Sequence, residues 1–260
     1  ELNYMSKCCE KEGHVQSVTA DFSLSRLIKE YLDEIFKSRN VSEENRKKLW
    51  EYYYNKFSGG LEIGFTYDDQ ELLKELKMSL AEFSAFKEAS FKNLLQNSLI
   101  QEDRLISWQE FKKLAYEIDA EYNLRYLEVE YNQTIANAQA AAKWKDFEET
   151  KDLYPNLKFL TVGDSRVRPE HEILNGIIKP IDDPFWSSYY PPLDWGCRCS
   201  VMQTDEEPEG ELKGGFQTKI EFENNPAKTG KIFGETSYKN NLTDAEIVLT
   251  EERLSKWLEE

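Results

Sequence analysis

Histidine is nearly absent: two residues, His14 and His171, occur in a chain of 260, beside four cysteines. So few imidazoles leave few general bases, and no two histidines stand at helical spacing, which excludes the commonest metalloprotease arrangement. Glycine is sparse as well, with 12 residues. None of them forms the rich run that cradles phosphates, so the usual nucleotide loops are excluded. No stretch approaches the unbroken apolar length that spans a bilayer, and residues 1–20 carry no apolar run behind a basic one, so a soluble, non-secreted protein is expected. Basic residues are in deficit, 33 against 49 acidic ones, for a formal net charge of -16. That balance repels phosphate backbones and gives DNA contact no support. The cysteines fall into two tight pairs, Cys8 with Cys9 and Cys197 with Cys199. Neither spacing suits the disulfide framework of a small secreted domain, which points to reduced thiols.

What is present is a helical pattern followed by a change of texture. Leu24, Leu27, Ile28, Tyr31, Leu32, Ile35 and Phe36 recur at the spacing of one helix face. A second helix is expected to start at Ser42 and to end at Ser58, Gly59 and Gly60, with 61–67 a loop or strand. Asp68 and Asp69 open a third helix reaching Leu95. Ser107 with Glu110 has the form of a capping box, and from Trp108 to Asp152 no Gly or Pro interrupts, so one helix of roughly 65 Å is expected. Its alanine run, Ala136 to Ala142, favours close packing against a neighbour.

At Tyr154 and Pro155 the periodicity gives way to short apolar runs, prolines and glycines. The fold class predicted is α+β: a helical N-terminal half whose long helix leads into a smaller mixed α/β C-terminal module. The divisions expected are a disordered segment at 1–20, a helical domain at 21–153 and the α+β module at 154–260. Within the module, strands are expected at 157–162, 176–181 and 199–203, with a short helix at 169–175. An aromatic, proline-rich loop should cover 183–194 and a further strand 216–222. Thr243 with Glu246 should cap a last helix.

The module reads TVGDSRVRPEHEILNG, then IIKPIDDPFW, then YPPLDWGCRCSV. The order and spacing of these pieces resemble the phage Mu protein F-like head morphogenesis family, closely over about 144–202 and loosely through NNPAKTGKIFG from Asn224. The shared pattern comprises Arg166, Arg168, Pro169, Gly176, Trp186, Pro191, Pro192 and Arg198. Most family members carry an Arg-Thr-Glu triplet on the preceding helix, where this chain has Val129, Glu130 and Tyr131. The resemblance implies a minor head protein of a phage or prophage that acts in capsid assembly. It would contact portal or capsid subunits, sit in the virion at the capsid interior or portal vertex, and occupy host cytoplasm during assembly. It does not imply catalysis.

Considered without the family, the same residues suggest a structural zinc site, with Cys197 and Cys199 as thiolates, His171 as imidazole and Asp164 as the fourth ligand. A Cys-x-Cys pair works on an extended strand if Arg198 points away. The alternatives are small buried cysteines beside a core strand with His171 hydrogen-bonded to a carboxylate, or a disulfide. Cys8, Cys9 and His14 form a weaker group. Arg166, Arg168 and Arg198 can hold an anion or pair with Glu170, Glu172, Asp182, Asp183 and Asp194. A competing function is a metal-assisted hydrolase or nuclease-like or toxin-like enzyme, using Asp164 or His171 as base with Arg166, Arg168 and Cys197.

Overall fold

Local signals start most of the helices. The computed structural model describes residues 22–212 and 217–259; the expectations for 1–20, including Cys8, Cys9 and His14, lie outside the described residues. Helix α1 (Phe22–Ser38) buries Leu24, Ile28, Tyr31, Leu32 and Ile35 along one stripe, as their spacing demands. Helix α2 (Glu43–Gly64) begins behind Ser42, whose hydroxyl accepts the Asn45 N–H at 3.4 Å. Helix α3 (Gln70–Ser98) begins behind Asp69, which accepts the Leu72 N–H at 2.9 Å. A short hairpin, β1 (Ile100–Gln101) and β2 (Arg104–Leu105), precedes helix α4 (Trp108–Asp119). The Ser107–Glu110 capping box forms, with the Ser107 N–H donating to Glu110 at 2.8 Å and the Glu110 N–H to Ser107 at 3.3 Å. Thr243 and Glu246 make the same reciprocal bonds ahead of the last helix, α8 (Asp244–Glu259).

Three expectations are corrected. Ser58, Gly59 and Gly60 do not end α2, which continues to Gly64. Packing overrides the propensity of the two glycines, because Leu61, the residue that follows them, is fully buried. The long helix expected from Trp108 is helical to Glu149 but passes through a π-helical stretch, Ala120–Tyr126, before α5 (Leu127–Glu149). The wider turn re-phases the helix, and Tyr122, Asn123 and Tyr126 are all buried within it. No strand forms among the described residues of 216–222, where Lys219 to Phe222 make a turn.

The described residues gather into two compact units. One takes the residues up to Ser58, Ala81–Tyr131 and those from Ser237; the other takes Gly59–Leu80 and Asn132–Thr236. The first is helical, with Tyr31, Leu49, Tyr53, Phe57, Phe86, Phe91 and Phe111 fully enclosed. The second is α+β. Its antiparallel sheet has the order β4-β3-β5, from β3 (Asn156–Leu160), β4 (Ile178–Pro180) and β5 (Ser200–Thr204). Leu157 lies opposite Lys179 on one side and Gln203 on the other. Leu157, Phe159 and Val201 pack in one cluster with Trp144 and Phe147 of α5 and with Trp186, Tyr190 and Leu193 of the proline-rich segment.

The alanine run of α5 is a packing face: Ala138 and Ala141 are fully buried. A Cβ placed on Gly64 would lie 2.5 Å from the Ile135 carbonyl oxygen and 2.7 Å from the Ala138 Cβ. Gly64→Ala, which would gain about 1 kcal/mol in an open helix, should here lower stability by about 1–3 kcal/mol through overpacking. A denaturation midpoint at or above the parent's would show that these backbones do not meet so closely.

Candidate metal centre

Each candidate residue arrives on its own piece of chain. Beyond β3 the backbone turns at Asp164, whose carboxylate accepts the Arg166 N–H at 3.0 Å, the local bond that makes Asp a turn residue. Arg168 then stands at the N-cap of a one-turn helix, α6 (Pro169–Glu172), which Pro169 opens; the missing proline N–H is not needed there. His171 belongs to that turn and is buried. Gly176 follows with φ of 83° and donates its N–H to the Phe159 carbonyl at 2.8 Å, a left-handed backbone that glycine adopts without strain. That bend returns the chain to pair β4 with β3.

The proline-rich segment is not wholly irregular as expected, since Phe185–Ser188 forms a helical turn, α7. The Asp183 carboxylate accepts the Phe185 N–H at 2.8 Å at its start, a local side-chain-to-backbone bond of the kind Asp makes at turns. Trp186 is fully buried and donates its indole N–H to the Pro180 carbonyl at 2.9 Å. Pro191 and Pro192 are joined by a cis peptide bond. A turn closed by the Cys197 N–H to the Asp194 carbonyl at 3.0 Å then delivers Cys197, Arg198 and Cys199 to the start of β5.

Three of the four suggested metal ligands meet. The His171 Nδ1 lies 3.6 Å from the Cys197 Sγ and 3.7 Å from the Cys199 Sγ, and the three donor atoms fall within 4.8 Å of one another. Asp164 does not join them. Its two carboxylate oxygens accept both Arg198 guanidinium nitrogens, at 2.8 and 2.7 Å, and Arg166 approaches at 3.6 Å. Arg198 therefore points away from the thiols, as a Cys-x-Cys ligand pair requires. The Arg198 hydrogen bonds hold the Asp164 carboxyl well below the usual carboxylate range, opposed by desolvation and aided by the Arg166 backbone N–H. A carboxylate held in this way is a weak base, so the general-base role weighed for Asp164 gains no support.

The two thiols act as a pair. Hydrogen bonding from Cys199 holds the Cys197 thiol well below its ordinary range, opposed by burial and aided by His171 and the Leu193 backbone. Cys199 is pushed up, by Cys197 first and by burial second, while Arg168 and Arg198 pull the other way. Two thiols and an imidazole are a donor set suited to zinc.

Beside them lies a buried ionic network that the sequence reading captured only as one option among several acids. Asp194 is 5% exposed. It meets Arg168 at 3.3 Å and Lys219 at 2.7 Å and accepts the Trp195 N–H at 2.7 Å, while Arg168 also donates to the Trp195 carbonyl at 2.8 Å. Lys219, and Gln133, which accepts the Gly196 N–H at 3.0 Å, carried no sequence signal, because nothing near either residue announces so distant a partner.

Residues 99–202 match the family described as Phage Mu protein F like protein. The chain is 37% identical over 92 residues to a protein of Escherichia phage Mu provisionally named capsid assembly protein F, covering 32% of this chain and 21% of that protein. It is 44% identical over 69 residues to the Mu-like prophage FluMu F protein of Haemophilus influenzae, covering 26% and 17% respectively. An uncharacterized protein of Methanocaldococcus jannaschii is 31% identical over 91 residues, 35% of this chain and 13% of its own length. The chain thus spans about a fifth or less of the length of these relatives. No solved structure matches it.

Proposed function

We propose, taking residues 99–202 as a Mu F-like segment, that this chain acts in bacteriophage or prophage capsid assembly as a minor head protein, contacting portal or inner capsid subunits. The observation that carries this reading is the match to the two F proteins of phage Mu and the Mu-like prophage. The structure supports it in a second way. Arg168, Trp186 and Arg198 of the signature bond to groups of their own fold, which is the behaviour of residues that hold a module together and leave its outer surface for partners. Residence in the virion, at the capsid interior or portal vertex, and in host cytoplasm during assembly belongs to the same proposal. No helix of the described residues is long and apolar enough to cross a membrane.

The test is deletion and complementation in the phage or prophage that encodes the chain, with protein mass spectrometry of purified heads. Loss of packaged heads on deletion, together with recovery of the protein from complemented particles, is the expected result. Normal heads without it, and its absence from wild-type particles, would overturn the reading.

A further inference from the structure

We propose that His171, Cys197 and Cys199 bind one zinc ion through Nδ1 and the two Sγ atoms, with a small oxygen donor and not Asp164 completing the tetrahedron. The proposal does not depend on the head-assembly reading.

Its first support is distance. With Zn–S near 2.3 Å and Zn–N near 2.0–2.1 Å, a tetrahedral ion sets its sulfur and nitrogen ligands about 3.6 Å apart. The two thiols stand at 3.6 and 3.7 Å from the ring nitrogen. The second support is valence. One imidazole nitrogen offers either one lone pair or one N–H, so only one of the two thiols can make a direct linear hydrogen bond to it, whereas a shared cation satisfies all three atoms. The third is charge: two thiolates would neutralise a divalent ion. Finally, the ligands sit on short irregular segments, a one-turn helix and the residues before an edge strand. Both cysteines pack against the main apolar cluster of their unit. An ion there would tie α6 to β5 where little regular hydrogen bonding does so.

Asp164 is excluded because both of its oxygens are held by Arg198. Transferring it to a metal would break that bidentate pair.

The full chain is produced in zinc-supplemented medium, dialysed against metal-free buffer and analysed by elemental analysis and native mass spectrometry. About one zinc per chain is expected, unchanged in Asp164→Asn and lost in His171→Ala, Cys197→Ser and Cys199→Ser. X-ray absorption at the zinc edge should count two sulfur and two lighter donors. Because a ligand variant can fail to fold, cobalt is also titrated into the chelator-treated wild-type chain. The intense visible bands of a tetrahedral thiolate site should rise to one equivalent and disappear on adding zinc. A folded, reduced chain without metal, a third sulfur in the absorption spectrum, or zinc lost in Asp164→Asn would each overturn the assignment.

Discussion

Glu130→Leu, made alone, should destabilise the helical unit by about 3–5 kcal/mol, the cost of leaving a buried charge without its partner. The charge in question is Lys87, fully enclosed. Its ammonium lies 2.9 Å from Glu130 and donates to the Tyr122 carbonyl at 3.0 Å and the Tyr238 hydroxyl at 2.9 Å. The rings of Tyr53, Tyr122 and Tyr238 stand 5.3, 5.2 and 5.0 Å away, within range of cation–π attraction. The Tyr238 hydroxyl in turn donates to Glu130. Burial lowers the Lys87 pKa and Glu130 opposes that shift, so removing the carboxylate lets burial act unopposed.

The double variant Lys87→Met/Glu130→Leu should recover most of the loss, because apolar groups of similar size can replace a buried pair at little cost. The pH dependence has a definite sign. In Glu130→Leu the folded amine has a pKa below its unfolded value near 10.4. Between the two, the unfolded chain holds a proton that the folded chain does not, so stability rises with pH and the deficit shrinks. Urea unfolding of the three proteins at neutral and alkaline pH is the measurement. A single variant as stable as wild type, or a double variant worse than the single, would sink this account.

None of that network was legible in the sequence, and the reason is distance along the chain. The sequence draws no attention to Lys87, and to Glu130 only as part of the segment standing where relatives carry the Arg-Thr-Glu triplet; only the packing of α3 beside the start of α5 makes them buried partners. Features closed within a few residues were readable. The capping boxes at Ser107 and Thr243 form as expected, since each depends on one turn of backbone. The α+β class was readable for a related reason, because periodicity changes where the sheet begins. The glycines at 59 and 60 misled because a local breaker was outweighed by burial of the adjacent Leu61. At the candidate site, His171, Cys197 and Cys199 were chosen by chemistry and are brought together. Asp164 was chosen by proximity in sequence, and its carboxylate is held by Arg198. Residue type identifies which groups can bind a cation, but the bidentate geometry of an arginine decides which of them is already taken.

Asp194→Ala should be the most damaging single change in the sheet-bearing unit, with an expected loss of about 3–5 kcal/mol. The carboxylate is 5% exposed and joins three groups: Arg168, Lys219 and the Trp195 backbone N–H. Truncation removes the carboxylate that faces the largely buried Arg168 guanidinium and the Lys219 ammonium. It also leaves a backbone donor unsatisfied, which costs a further 1–3 kcal/mol or so where water does not replace the bond. Asp194→Asn should fall between, since an amide oxygen can still accept the Trp195 N–H but cannot balance two cations. Asp182→Ala, at an exposed position in the same unit, should lie within about 0.5 kcal/mol of wild type. The damage should reach the thiols as well, because the Asp194 side chain, through Arg168, Lys219 and the Trp195 N–H, anchors the turn that presents Cys197. If His171 and the two cysteines hold zinc, Asp194→Asn should weaken metal retention by about 10–100-fold, as loss of an outer supporting group does, while Asp182→Ala leaves it unchanged. Denaturant unfolding and competition with a zinc chelator separate the two effects. A stable Asp194→Ala protein would mean that Arg168 and Lys219 find water or other partners as readily as they find this carboxylate. A destabilised Asp194→Asn that held zinc at wild-type affinity would mean that the ligand cluster is organised independently of the buried ionic network beside it.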